Sequence, residues 1–361
     1  MAAAGASGLY VNPNTGAAQA GLAPFRNALI NGDMRINQRG TSTNLASLTA
    51  VGTATPGSWV VDRWNVLRAS YAAGAVMGQG TSLTTTDMPY TDAGIKTFAR
   101  IGRLSGNALT GGIEFQYSME SQDSYRFAGK TVTLSFYYRT GANFSGTDVN
   151  ARIYTGTGTD QGLRGDFTGQ IIQQTTFPIS ANWTRATYTA ILSTSLNQIG
   201  LLFRYTPTGT AGAADYFDIT GVQLELGSVA TPFEMRPYPV ELQMCQRYCY
   251  RIQPLALGNN YSLIGVGSWM AATIAAIYIS IPTTIRVGPT LTIENGVSNF
   301  AITPGGMDNP LPVTGISINN VNANAVRLLI TYASGGQTAG VGAIMYTNNQ
   351  IAYSLQFSAE L

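Results

Sequence analysis

The chain has 361 residues and not one is histidine. That absence excludes Ser-His-Asp and Cys-His catalysis, His-ligated zinc and imidazole acid–base chemistry, while carboxylate pairs, Ser-Lys and Tyr chemistry stay open. Charge is scarce as well. Asp, Glu, Lys and Arg together make up 11% of the residues, less than half the roughly 25% of an ordinary globular protein. The net charge is +2 and basic residues are scattered, so the patch that neutralises nucleic-acid phosphates is missing and no nucleic-acid partner is expected. The only lysines are Lys96 and Lys130; every other basic residue is arginine, which suits fixed bidentate or stacked contacts. Cys245 and Cys249 are the only cysteines. At four residues apart on one helix they are badly placed for a bridge, and they read as small buried hydrophobes. A disulfide-built secreted domain is not expected.

Long hydrophobic runs are also lacking. None reaches the ~18 apolar residues that span a bilayer, and no membrane insertion is expected. The nearest, Met270–Pro282, reads as a buried strand pair or one long strand. The opening MAAAGASGLY lacks the basic region and apolar core of a secretory signal. Synthesis in a host cytoplasm is the expectation.

What is present is the palette of an uncharged β protein. There are 41 glycines, and 45% of the chain is hydrophobic, so disorder is excluded and tight turns between strands are favoured. Thr131–Arg139 alternates Val132, Leu134 and Phe136 toward one face. Asn182–Leu192, Gly200–Tyr205 and Tyr216–Leu226 read as further strands, and Asn27–Ser42 as a strand through Leu29 and Ile30 with an Asn31-Gly32 turn. Strands at short spacing with almost no helical period mean an antiparallel sandwich or barrel. Beyond residue 252 the spacing predicts strands near Ala271–Ile281, Thr290–Glu294, Gly315–Asn319, Ala325–Tyr332 and Ile351–Phe357. Trp64 and Trp183 are expected in the core, and Trp269 as a cap on the second unit or a filler of a subunit interface.

The stretch Val222–Arg251 is the most informative. Val222, Leu224 and Leu226 alternate with Gln223 and Glu225; Gly227 and Pro232, Pro237 and Pro239 then break the chain. A helix is predicted from Pro239, where a missing N–H costs nothing, with one apolar stripe through Val240, Met244, Cys245, Tyr248 and Cys249. This segment resembles the joint between two β domains in fibre and other surface proteins of tailed bacteriophages. Asn27–Gly40 followed by Asp62-Arg63-Trp64 is similar to the opening of the carbohydrate-binding-module-like jelly roll of such proteins. Thr131–Arg139 and Phe217–Gly227 are similar to its middle and final strands. Gly265–Thr290 and Phe357–Leu361 resemble the C-terminal module of the same family.

The resemblance implies an all-β chain. Residues 1–25 form an extended anchoring arm, 26–236 a jelly-roll sandwich, 237–251 a short linker helix, and 252–361 a second, smaller β-sandwich domain. It implies a structural virion protein, a tail-fibre or equivalent appendage subunit on the particle surface. A homotrimer and host-surface glycan adhesion go with that reading. The related modules hold a structural Ca²⁺ with an acidic residue two places after the NGD aspartate. Here that position is Arg35, so no metal and no cofactor are expected, and an Arg35–Asp218 ion pair takes the calcium's place. The arm is Ala/Gly-rich and aperiodic; Leu9, Tyr10, Val11, Pro13, Leu22 and Phe25 are its candidate contacts with other virion proteins.

Few residues suggest chemistry. Asp215, Asp218, Glu225 and Glu234 are the carboxylates near one another in sequence. On a regular strand Asp218 and Glu225 face opposite sides, so spacing marks out no glycosidase pair, and a non-enzymatic role is expected. Trp59 and Tyr90, in loop-like polar surroundings, are the candidate sugar-stacking rings. The glycines of Tyr154–Asp166 lack the strand-to-helix setting of a phosphate loop and read as a β connection. A capsid decoration or head-fibre protein, and a polysaccharide depolymerase, remain as alternatives.

Overall fold

The computed structural model describes residues 9–11, 18–20, 25–39, 58–68, 75–81, 83–84, 86–88, 92, 94–163, 166–253, 261–304, 310–348 and 354–361. Near the N-terminus, β1 (Leu9–Val11) and β2 (Ala18–Ala20) pair antiparallel as a small hairpin.

The first large unit is a jelly-roll sandwich of eleven strands. These are β3 (Ser58–Val61), β4 (Trp64–Arg68), β5 (Ala75–Gly80), β6 (Phe98–Arg103), β7 (Ile113–Ser118) and β8 (Thr131–Thr140). They continue with β9 (Asp148–Gly156), β10 (Ile171–Pro178), β11 (Thr184–Ile191), β12 (Gln198–Tyr205) and β13 (Tyr216–Leu226). A short helix, α1 (Ser121–Ser124), lies between β7 and β8 and runs on into a 3-10 turn at Tyr125–Phe127. One sheet runs β10-β9-β12-β7-β4-β3 and the other β11-β8-β13-β6-β5. The chain changes sheet at most connections from β6 onward, so the two layers are wrapped together rather than stacked one after the other.

Period-2 alternation fills the space between the sheets. Val132, Leu134 and Phe136 of β8 face Val149, Ala151 and Ile153 of β9 and Ile199, Leu201 and Phe203 of β12 within one apolar cluster. Trp64 is fully buried within it. Its ring stacks on Phe115 with centroids 5.1 Å apart and an interplanar angle of 18°, and its indole N–H donates to the carbonyls of Ile30 and Asn31. Trp64 is therefore core, as its strand position foretold. Trp183 sits just before β11, half-buried, edge-on to Phe98 with centroids 5.5 Å apart.

Three sequence expectations change here. Asn27–Arg39 forms no strand; it is a run of bends and turns knitted to the rest by side chains. Asn31 adopts φ 58°, and its amide bonds both ways with the backbone of Ile36 while donating to the carbonyl of Asp62. Gly32 lies so close to β13 that a Cβ there would sit 2.1 Å from the carbonyl oxygen of Val222, which explains glycine at that place. Second, β13 is not regular. A bulge between Thr220 and Gln223, with Gly221 at φ 59°, shifts its register. Phe217 and Ile219 point into the core before it and Val222 and Leu224 after it, so Asp218 and Glu225 share the outer face instead of opposite faces.

Third, the helix is shorter than predicted. α2 spans Tyr238–Gln246, with Pro239 in its first turn. Cys249 falls instead in β14 (Cys249–Ile252). The helix is no free spacer. Glu241 is buried and accepts from the Asn31 amide and the Arg236 guanidinium. Cys245 and Tyr248 pack on Ile30 and Ile36. Both thiols are buried, and that burial holds them well above the usual thiol range.

The remaining strands are β15 (Leu263–Ala271), β16 (Ile274–Ser280), β17 (Thr290–Ile293), β18 (Phe300–Pro304), β19 (Leu311–Asn322), β20 (Ala325–Tyr332), β21 (Gly342–Thr347) and β22 (Leu355–Ser358). Met270–Pro282 is thus a hairpin that turns at Ala272 and Thr273. A three-stranded sheet, β14-β22-β17, shares one apolar cluster with a six-stranded sheet, β15-β16-β20-β19-β18-β21, whose edges close into a barrel. Closure removes the unpaired strand edges that an open sheet would expose. Trp269 is fully buried in that cluster, edge-on to Tyr332 with centroids 5.4 Å apart, so it is barrel core and not a cap or an interface residue.

Candidate functional site on the open sheet face

The outer face of the β10-β9-β12-β7-β4-β3 sheet is strongly polar. The alternation that sends Val149, Ala151 and Ile153 inward sends Asp148, Asn150 and Arg152 outward. Register aligns these with neighbours across the sheet. Arg152 lies opposite Gln174 of β10, and Asn150 lies opposite Arg204 of β12, which lies opposite Glu114 of β7. One end of this face is covered. Leu163 and Phe167, from the connection after β9, pack on Tyr154 and Leu202. Gly156 and Gly200 make room for them, since a Cβ at Gly156 would sit 2.5 Å from Phe167. The glycine-rich segment is thus a flap over the sheet, not a phosphate loop.

The other end is open. A cleft of about 300 Å³ is lined by Thr147, Asp148, Asn150 and Arg152 at β9, by Gln174 of β10, and by Arg204, Tyr205 and Thr206 at the end of β12. That is the small end of the roughly 300–1,000 Å³ range of ligand pockets. Its polar groups are pre-set. Arg152 Nε donates to Asn150 Oδ1 at 2.6 Å and its Nη1 to the Tyr154 hydroxyl at 3.2 Å. Asn150 Nδ2 donates to the Thr175 carbonyl at 3.1 Å. Arg204 pairs with Glu114 at 3.3 Å, and its guanidinium lies over Gly112, where a Cβ would sit 2.4 Å from Nε. Burial is the main cause that raises the Glu114 carboxyl above its ordinary range, with Arg204 and Arg152 pulling it back.

The residues singled out in the sequence lie elsewhere. Trp59 is in β3 rather than a loop, and the Arg39 guanidinium covers its ring at 4.6 Å from the centroid. Tyr90, Pro13 and Leu22 lie outside the described residues. Leu9, Tyr10 and Val11 form β1, and Phe25 is exposed beneath the Arg236 guanidinium, 5.6 Å from its ring centroid. The expected Arg35–Asp218 pair does not form. Asp218 is held by Arg100, at 2.7 and 2.8 Å, and by Arg139 at 2.8 Å. Arg35 instead reaches Asp33 at 3.2 Å and Glu241 at 3.9 Å. The reason is register: Asp218 lies on the part of β13 that pairs with β6 and β8, whose Arg100 and Arg139 stand directly opposite.

The other carboxylates are structural too. Asp215 pairs with fully buried Arg103 at 2.6 Å and accepts from the Ser145 amide and hydroxyl. Arg103 also donates to the carbonyls of Asn107, Leu109, Thr208 and Gly209 and to the Ser145 hydroxyl, and so gathers three loops. Glu225 accepts from Thr231 and Gln223. Glu234 accepts from the backbone amides of Phe25 and Asn27. Among the described residues no group of three or more Cys, Asp or Glu side chains is placed to share a metal ion.

No protein-family model matches the sequence, and no curated protein matches it. Among solved structures it is similar to the enzymatically active domain of tailspike protein 4 from bacteriophage CBA120, with 12% identity and a TM-score of 0.34. That match covers 57% of this chain and 22% of the tailspike. A family 4 carbohydrate-binding module is 16% identical over 52% of this chain and all of its own, with a TM-score of 0.29. A family 61 module described in complex with β-1,4-galactotriose is 10% identical over 56% of this chain and 99% of its own, with a TM-score of 0.28. The fold described above rests on its own strand pairing and not on these likenesses.

Proposed function

We propose that this chain is a non-catalytic structural subunit of a tailed-phage particle that holds glycan in the open cleft of its sandwich. The observation that carries the glycan reading is the cleft itself. It offers Asn150, Gln174, Arg152 and Arg204 on a rigid sheet, amide and guanidinium groups of the kind that hydrogen-bond sugar hydroxyls. The carboxylates near one another in sequence are all committed to structural bonds, which supports binding over hydrolysis.

The virion role follows from the sequence resemblance. In that reading the segment 1–25 docks on the particle as a tail-fibre subunit does, and the trimer multiplies weak sugar contacts by multivalency. Support for self-association comes from the second unit, where Leu263, Val266, Met270 and Tyr278 on β15 and β16 are exposed.

A glycan microarray tests the binding. The intact protein should retain a defined set of surface polysaccharides, and Asn150→Ala with Arg204→Ala should abolish retention without lowering the melting temperature by more than a few degrees. Release of reducing ends from a retained polysaccharide would replace the adhesion reading with a depolymerase. Light scattering should show a trimer; a monomer at micromolar concentration would remove the oligomer from the proposal.

A further inference from the structure

We infer that the cleft is built for an acidic sugar, with a ligand carboxylate seated on Arg152; this rests on the glycan reading above and names its ligand class. Three observations carry it. First, Arg152 has no carboxylate partner within 4 Å among the described residues, whereas its cleft neighbour Arg204 is paired with Glu114. Its two recorded bonds, to the Asn150 amide oxygen and the Tyr154 hydroxyl, are to neutral groups. They orient the guanidinium and leave Nη2 without a recorded bond, while Glu114 acts on Arg152 only through space, from beyond ion-pair distance. A guanidinium fixed in this way is matched to the two oxygens of a carboxylate.

Second, the cleft is electrically asymmetric. Asp148, its one acidic lining residue, lies four residues from Arg152 on the same face of β9, about 13 Å away along an extended strand. Negative charge is therefore tolerated at the Arg152 end and opposed at the Asp148 end, which fixes the direction of a bound chain. Third, the cleft lacks a stacking platform. Tyr205 is its only aromatic lining residue, and it is buried in the sandwich core. Tyr154 lies beneath Leu163 and Phe167. A neutral glycan held by ring stacking finds no open ring here, so hydrogen bonds and charge must supply the recognition.

Calorimetry on the full chain decides the question. The probes are tetramers of galacturonate, mannuronate and a glucuronate-containing chain, each beside its methyl ester as the uncharged counterpart. At least one acidic tetramer should bind ten-fold or more tighter than its ester, and the preference should shrink with added salt. Arg152→Gln should erase the preference while the melting temperature stays within a few degrees, and Arg152→Lys should restore part of it. Equal affinity for acid and ester, or a preference that survives Arg152→Gln, overturns the inference. Binding of neutral oligosaccharides alone, lost in Asn150→Ala, overturns the acidic class and leaves the glycan cleft standing. Binding of no oligosaccharide overturns both.

Discussion

Arg63, in the turn between β3 and β4, and Glu360, beyond the last strand, form a buried ion pair that joins the sandwich to the second unit. The guanidinium carbon lies over Tyr248, 3.5 Å from its ring centroid, and over Tyr117 at 5.0 Å, and the group also donates to the Ser118 carbonyl. Glu360 is reached by Arg39 as well, at 3.0 Å, while Arg286 donates to the carbonyls of Ala359 and Glu360. The joint is thus a set of directed arginine contacts, each with a fixed partner.

Glu360→Ala should be costly. It leaves Arg63 buried without its carboxylate, which typically costs about 3–5 kcal/mol. Calorimetric unfolding should show a large drop in melting temperature, with the two units losing their common transition. A loss below about 1 kcal/mol would show that the pair is dispensable to the joint.

Asp215→Ala should act on loops more than on strands. It removes the partner of buried Arg103, the residue that gathers the loops around Asn107, Ser145 and Thr208, at a cost of about 3–5 kcal/mol. Hydrogen exchange should accelerate in residues 104–112 and 206–212 before it does in β8. Uniform acceleration across the sandwich would contradict the hub.

Gly32→Ala should destabilise by roughly 1–3 kcal/mol, because the new methyl group meets the Val222 carbonyl of β13. Urea melts at constant m-value would check it. A neutral result would mean that the 27–32 segment can shift away from the strand.

Asp62 gives a pH prediction. Burial pushes its carboxyl up to about 6, against the downward pull of Arg39 and Gln38. Between its ordinary value of 3.8 and about 6 the folded state binds more protons than the unfolded one. Stability from this group is therefore greatest in acid and falls as pH rises through that window. Relative to Asp62→Asn, the wild type should gain about 2 kcal/mol on going from pH 7 to pH 4. A pH-independent difference in melting temperature between the two would contradict the burial effect.

Regular alternation made part of the fold legible. β13 and β20 lie where the pattern in Tyr216–Leu226 and Ala325–Tyr332 placed them. The bulge at Gly221 was not legible, because one glycine inside a strand does not announce a change of face. The Arg35–Asp218 pair, expected from the resemblance, fails for another reason: Arg100 and Arg139 stand opposite Asp218 in the ladder and occupy it. Trp269 escaped for another reason: closure of the barrel, which decides which side of β15 is interior, is a property of six strands together. The cleft was overlooked although one signal for it existed. Asp148, Asn150 and Arg152 alternate with Val149, Ala151 and Ile153, a polar stripe on a half-buried strand. Its partners Gln174 and Arg204 stand far along the chain, and only register brings them alongside.

Hydrogen-exchange mapping with a retained glycan tests the central claim most directly. The account predicts that bound glycan protects amides of Asp148–Tyr154, Ile172–Thr176 and Phe203–Thr206 and leaves the β11-β8-β13-β6-β5 sheet unchanged. Protection confined to any other surface, with those segments exchanging as they do in the free protein, would contradict it.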